Sequence, residues 1–171
     1  MEIIFRTMQH TYEEVVMGHK LWFPDSLESD VISATANSEG FTPLTAIARC
    51  YGWDINTIES ASQQCNRHRQ VAVIQEVKPK LLLVPSTKGD GPTDFLIRDL
   101  IQAANAIECD VLNFTHYGFV QKNLPPEVPL ILQVMLDRNT TTSIRVVVWD
   151  IDSRVKDEML HIWNKLRKLS N

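Results

Sequence analysis

Short apolar runs alternate along the chain with longer stretches in which apolar residues recur every three or four positions. The short runs predict β-strands, because β-branched residues are frequent in them. The predicted strands cover residues 2–7, 14–23, 31–36, 70–77, 80–85, 110–115 and 143–149. Segment 127–138 fits two interpretations, a helix that begins at Pro129 and a short strand.

The longer stretches have the period of amphipathic helices, and residues that favour helix ends flank them. One helix opens at Pro43 and stops at Gly52, and Asp54 caps the next helix. Two further helices follow the capping residues Thr93 and Asp152. Strands that alternate with helices predict an α/β fold in which helices cover a largely parallel or mixed sheet.

Two loops of the predicted sheet contain candidate ligand-binding residues. They cover residues 35–42 and 115–125, and each follows the carboxyl end of a predicted strand. Ligands of open α/β sheets bind beyond these ends. The helix that follows the first loop also offers free backbone N–H groups, which suit a phosphate.

The composition is that of a folded domain with a weak acidic bias. The chain has 171 residues, 44% of them apolar, and a net charge of −4, which predicts one domain over residues 1–171. We expect no nucleic-acid partner, because the positive field that such binding needs is missing. We also expect no membrane partner, since no apolar run is long enough to span a bilayer. Segment 1–6 lacks the features of a secretory signal.

Cysteine usage predicts neither a disulfide framework nor a metal site. Cys50, Cys65 and Cys109 are odd in number and form no CxxC pair. Segment 65–68 has half of a metal-ligand spacing, but no second half follows, so a solvated helix end is the favoured interpretation. A reducing cytoplasm is the expected location.

Two motifs in fixed order give the chain a family resemblance. Asp30 and Asn37 stand seven positions apart, on either side of the predicted strand 31–36, and segment 46–52 reads Ala-Ile-Ala-Arg-Cys-Tyr-Gly. This pattern resembles the macro domain family, whose strand reads Asp-Ala-Ile-Val-Asn-Ala-Ala-Asn and whose helix reads Ala-Ile-His-Arg-Ala-Ala-Gly. The chain departs from the family at Ala34, where the family has its first Asn, and at segment 38–43, which replaces a run of glycines.

The resemblance implies a three-layer αβα macro-like domain with a central mixed sheet of about six strands. It further implies binding of ADP-ribose or a related NAD-derived nucleotide between loops 35–42 and 115–125, with no further cofactor. The ligand-binding residues that it implies are Asp25, Asn37, Ser38, Thr115, His116, Tyr117, Gly118 and Phe119. In this scheme Asp25 contacts adenine, Asn37 lies near the distal ribose, and the backbone around Gly118 donates to the diphosphate.

The residues leave three functional interpretations open. The first is nucleotide binding alone, and the second adds weak ADP-ribosyl hydrolase activity, with Asn37 or Glu39 positioning water at the anomeric carbon. The third is a protein-interaction or structural module without the pocket, which the lost glycines and Phe41 favour; its protein partner is not identified by the sequence. Asn37 also has a purely structural interpretation, as a residue that satisfies a strand-to-loop turn.

Overall fold

The computed structural model describes residues 2–7, 31–37, 43–85, 94–115, 132–134, 137, 145–150 and 153–170. Its strands and helices follow the alternation that the sequence predicts. The strands are β1 (Glu2–Thr7), β2 (Val31–Thr35), β3 (Ala72–Ile74), β4 (Lys80–Val84), β5 (Val111–Thr115) and β6 (Arg145–Asp150). The labelled helices are α1 (Pro43–Tyr51), α2 (Ile55–His68), α3 (Asp94–Ala106) and α4 (Ser153–Ser170).

The six strands form one mixed sheet in the order β1-β6-β5-β2-β4-β3. All neighbouring strands are parallel except β3 and β4, which are antiparallel. Parallel neighbours need a crossover connection, which helices supply here, whereas an antiparallel pair needs only the short link between β3 and β4. The predicted mixed sheet of about six strands is therefore confirmed.

Strand β4 explains why helices cover both faces of the sheet. Its residues Leu81, Leu82 and Leu83 are all fully buried, although neighbouring side chains along a strand point to opposite faces. Leu81 and Leu83 pack in a cluster with residues of α1 and α2, while Leu82 packs in a second cluster with residues of α3 and α4. A strand that is apolar at every position is typical of a sheet buried on both sides. The three-layer αβα arrangement is thus confirmed.

The corner between α1 and α2 forms as its sequence predicts. Gly52 has a φ of 70°, a conformation that glycine adopts without steric cost, and it ends α1. Asp54 then caps α2, because its Oδ2 accepts hydrogen bonds from the Thr57 N–H at 3.3 Å and from the Thr57 Oγ1 at 2.7 Å. Trp53 fixes the corner to the sheet, since its indole Nε1–H donates to the Lys78 carbonyl at 3.0 Å.

Replacing Asp54 by alanine is expected to lower the melting temperature of the protein at neutral pH. The hydrogen bonds from Thr57 hold the pKa of the Asp54 carboxyl below its ordinary value. A carboxyl with a lowered folded-state pKa stabilises the fold above its unfolded-state pKa, and this stabilisation is lost as the pH falls through the folded-state pKa. The difference between wild type and Asp54→Ala should therefore shrink below about pH 4.

Thermal denaturation followed by circular dichroism between pH 2 and pH 7 measures this effect. Asp54→Asn is the matched control, because an amide oxygen can still accept from the Thr57 N–H but does not titrate. A difference between Asp54→Ala and wild type that is constant over the whole pH range would contradict a role for the charged carboxylate.

Two sequence predictions are corrected or decided by the structure. The predicted strand over residues 70–77 was too long, because β3 ends at Ile74. The chain then leaves the strand: Val77 is buried in the α1–α2 cluster, and the next carbonyl accepts from Trp53. In the ambiguous segment 127–138, residues 132–134 and 137 are helical, which favours the helix.

Some predictions fall outside the described residues. They are the strand over residues 14–23 and the capping residues Thr93 and Asp152. Among the described helices, none has both the length and the apolar character that crossing a bilayer requires.

Candidate functional site

The carboxyl ends of β2 and β5 lie side by side at one edge of the sheet. The two strands are parallel neighbours, with Val31 beside Leu112 and Ile32 beside Asn113. Asn37 is the second residue after the end of β2, and Thr115 is the last residue of β5. The two loops predicted to bind a ligand therefore start from neighbouring strands at the same edge.

The described elements that follow β2 and β5 along the chain pack on opposite faces of the sheet. After β2 it enters α1, whose buried residues pack with Ile32. After β5 the next described buried residues are Leu132 and Val134, and they pack in the other cluster, with Leu112. In an open α/β sheet, neighbouring strands whose connections lie on opposite faces mark the usual ligand position.

Two buried polar side chains join β2 to β5 within the sheet. The Ser33 Oγ donates to the Asn113 carbonyl at 3.2 Å, and the Asn113 Nδ2 donates to the Val31 carbonyl at 3.5 Å. Both side chains belong to residues with 4% exposure or less. Burial of a polar group is costly unless it is hydrogen-bonded. These bonds therefore hold the two neighbouring strands together.

Asn37 is the best-defined residue of the candidate site, and it bonds to both helices that follow β2. Its Oδ1 accepts from the Leu44 N–H at 3.0 Å, and its Nδ2 donates to the Thr45 Oγ1 at 2.9 Å. Its backbone N–H donates to the Ser62 Oγ at 2.6 Å, and its carbonyl accepts from the Asn66 Nδ2 at 2.8 Å. The side chain thus accepts from a backbone N–H in the first turn of α1, and the backbone of Asn37 is hydrogen-bonded to α2.

These bonds support the structural interpretation of Asn37 without using all of its hydrogen-bonding capacity. A carboxamide oxygen has two lone pairs and a carboxamide nitrogen has two N–H donors. One of each is engaged in the bonds described above. The residue is half-buried, so part of it is accessible to a ligand.

Comparison with known proteins identifies the architecture. No protein-family model matches the chain, and no curated protein matches its sequence. Among solved structures, the macrodomain of Thermus aquaticus DarG matches 86% of this chain and 99% of its own, with a TM-score of 0.53 and 9% identity. The chain has the macrodomain fold.

Two further solved structures agree with this macrodomain fold. The IBV X-domain matches 94% of this chain and 97% of its own, with a TM-score of 0.55 and 13% identity. The alphavirus protein P23pro-zbd matches 98% of this chain with a TM-score of 0.58 and 11% identity. This chain spans 24% of that alphavirus chain.

The described part of the macrodomain fold contains two of the predicted ligand-binding residues, Asn37 and Thr115. The backbone of Thr115 pairs with that of Trp149 on β6, so Thr115 lies at the end of the ladder. The other predicted site residues, with the candidate acid Glu39, lie outside the described residues; they are Asp25, Ser38, His116, Tyr117, Gly118 and Phe119.

Sequence reasoning missed the partners of Asn37 on α2. Ser62 is 3% exposed and occupies the buried stripe of that helix together with Ile58 and Cys65. Ser62 comes four positions after Ile58 and three before Cys65, so it lies on the apolar face of the helix. A polar residue on such a face signals that a hydrogen-bond partner is needed. Asn66 follows Ser62 by one helical turn, which places both side chains on the same face of α2.

Cys65 belongs to the core, so the predicted solvated helix end applies only to the residues after it. The Cys65 thiol lies within hydrogen-bond distance of the Gln70 carbonyl at 3.1 Å and of the Leu83 carbonyl at 3.4 Å. Burial raises the pKa of this thiol to about 11. A thiol that stays protonated at neutral pH is a poor nucleophile. Arg67, His68 and Arg69 are exposed, as predicted.

Proposed function

We propose that the chain binds ADP-ribose or a related NAD-derived nucleotide in the crevice between loops 35–42 and 115–125. The observation that carries the proposal is that the described elements after β2 and β5 pack on opposite faces of the sheet, within a macrodomain fold. A crevice at such a point accepts an elongated anionic ligand along the carboxyl edge of the sheet.

The start of loop 35–42 is supported by the two helices that follow it. Asn37 is fixed by α1 and α2, so its remaining donor and acceptor would meet the distal ribose in a set direction. In the same proposal Asp25 contacts adenine and the backbone around Gly118 donates to the diphosphate, since glycine allows close approach of the main chain. Tyr117 or Phe119 packs on the distal ribose, beside Ser38, Thr115 and His116.

A weak ADP-ribosyl hydrolase activity is the finer form of this proposal. In that reaction water adds to the anomeric carbon of the distal ribose while the bond to the leaving group breaks, and the leaving group takes up a proton. Asn37 or Glu39 would orient the water. The hydrogen bonds that fix the Asn37 side chain after β2 support the orienting role, because an ordered amide loses little entropy when it binds water.

Titration calorimetry with ADP-ribose tests the proposal, with AMP and ribose 5-phosphate as controls that carry parts of the ligand. We expect one molecule of ADP-ribose per chain and weaker binding of either fragment. At a ligand concentration of 100 times Kd, the free energy of unfolding should rise by about 2.7 kcal/mol. Absence of both heat and thermal stabilisation at millimolar ADP-ribose would contradict the proposal and favour an interaction module without a pocket.

A further inference from the structure

We propose that Ser62 and Asn66 of α2 are positioning residues for the nucleotide site, acting through the backbone of Asn37. This inference rests on the proposed nucleotide binding and adds to it what places the Asn37 backbone. Neither residue belongs to loop 35–42 or loop 115–125, and neither is required by the motif at Asp30 and Asn37.

The hydrogen-bond ladder of the sheet ends one residue before Asn37. The Ala36 N–H still donates to the Val84 carbonyl of β4, at 2.9 Å. At Asn37 the backbone bonds to side chains of α2 instead. The Ser62 Oγ accepts from the Asn37 N–H at 2.6 Å, and the Asn66 Nδ2 donates to the Asn37 carbonyl at 2.8 Å. Both polar groups of the Asn37 main chain are therefore held by α2 at the point where loop 35–42 leaves the sheet.

The helix that provides these bonds is itself rigidly placed. Ile58 and Cys65 are 1% and 2% exposed and pack against the sheet on either side of Ser62 along the helix. Ser62 is 3% exposed, so its hydroxyl is shielded from water that would compete for the Asn37 N–H. A rigid support of this kind holds a binding loop near its productive geometry before the ligand arrives.

Preorganisation increases affinity because binding then loses less conformational entropy in the residues that contact the ligand. Loss of either bond should let the Asn37 backbone sample other directions while the cores on the two faces of the sheet stay intact. We therefore expect the affinity for ADP-ribose to fall by about tenfold, the scale of one lost hydrogen bond. A purely structural pair would change the stability of the protein and leave this affinity unchanged.

Four variants separate these possibilities. Ser62→Ala removes the acceptor of the Asn37 N–H, whereas Ser62→Thr keeps a hydroxyl at this position. Asn66→Asp keeps the size of the side chain but replaces the amide donor by a carboxylate oxygen that faces the Asn37 carbonyl. Ile58→Val is the matched control, because it removes one buried methyl group from the same helix without touching a polar group.

Calorimetric titration with ADP-ribose is carried out on all variants below their melting temperatures, and the Asn37 amide is followed by proton–nitrogen NMR. We expect about tenfold weaker binding for Ser62→Ala and Asn66→Asp, near wild-type binding for Ser62→Thr, and unchanged affinity for Ile58→Val despite a lower melting temperature. The Asn37 amide proton should move upfield in Ser62→Ala, as its hydrogen bond is lost.

Wild-type affinity in both Ser62→Ala and Asn66→Asp, with the Asn37 amide signal moved in Ser62→Ala, would overturn the inference while the proposed function stands. If the wild-type protein does not bind ADP-ribose, the proposed function and this inference both fail. Should Ser62→Ala not fold, Asn66→Asp decides the question alone, because Asn66 is only half-buried and its replacement is isosteric.

Discussion

Replacing Leu82 or Leu83 by alanine is expected to lower the free energy of unfolding by about 2–5 kcal/mol in each case. The two residues are neighbours on β4 and both are fully buried. Leu82 packs with residues of α3 and α4 on one face of the sheet, and Leu83 packs with residues of α1 and α2 on the other. Each truncation removes apolar contacts and leaves a cavity that close-packed neighbours fill only in part.

Val73→Ala is the matched control for this pair. Val73 is the residue of β3 that lies beside Leu82 in the sheet, but it is 40% exposed. Its truncation should cost at most about 1 kcal/mol. Urea denaturation measures all three variants, provided that the slope of the transition is unchanged. A large effect at Leu82 with a small one at Leu83 would mean that helices do not cover both faces of the sheet.

Asn37→Ala is expected to lower the free energy of unfolding by about 1–3 kcal/mol. The substitution removes the acceptor for the Leu44 N–H and the partner of the Thr45 hydroxyl. Leu44 is fully buried, so water cannot easily replace the lost acceptor in the first turn of α1. The backbone bonds from Asn37 to α2 do not depend on the side chain and should persist.

Asn37→Asp separates the lost hydrogen bonds from a simple change of volume. A carboxylate oxygen can accept from the Leu44 N–H, the Thr45 hydroxyl can donate to it, and a negative charge near a helix N-terminus is favourable by about 0.3–1 kcal/mol. This variant should therefore remain within about 1 kcal/mol of wild type in urea denaturation. Equal destabilisation by alanine and aspartate would show that the capping of α1 by Asn37 contributes little.

Local features of the fold could be predicted from the sequence because each depends on a few neighbouring residues. Asp54 was recognised as a cap and Gly52 as a helix stop, since the chemistry of these residues suits such positions in many proteins. The length of β3 was overestimated, because its end depends on Val77 and Trp53, which meet only in the folded chain.

The candidate site could be predicted only in part. The spacing from Asp30 identified Asn37 as a residue of interest, but the direction of its side chain is decided by α1. Ser62 and Asn66 follow Asn37 by 25 and 29 positions, and no periodicity within the sequence connects residues so far apart. The order of strands in the sheet, which makes β2 and β5 neighbours, is likewise a property of long-range pairing.

A proton–nitrogen NMR titration with ADP-ribose tests directly whether a nucleotide binds at the carboxyl ends of β2 and β5. We expect the largest shifts at the amides of Asn37 and Thr115 and in the loops that follow them. Amides of Gly52 and Trp53 should stay unchanged, because Trp53 bonds to the carbonyl of Lys78, which precedes β4 at the opposite edge of the sheet. Shifts confined to that opposite edge, or no shifts at millimolar ligand, would contradict nucleotide binding at the carboxyl ends of β2 and β5.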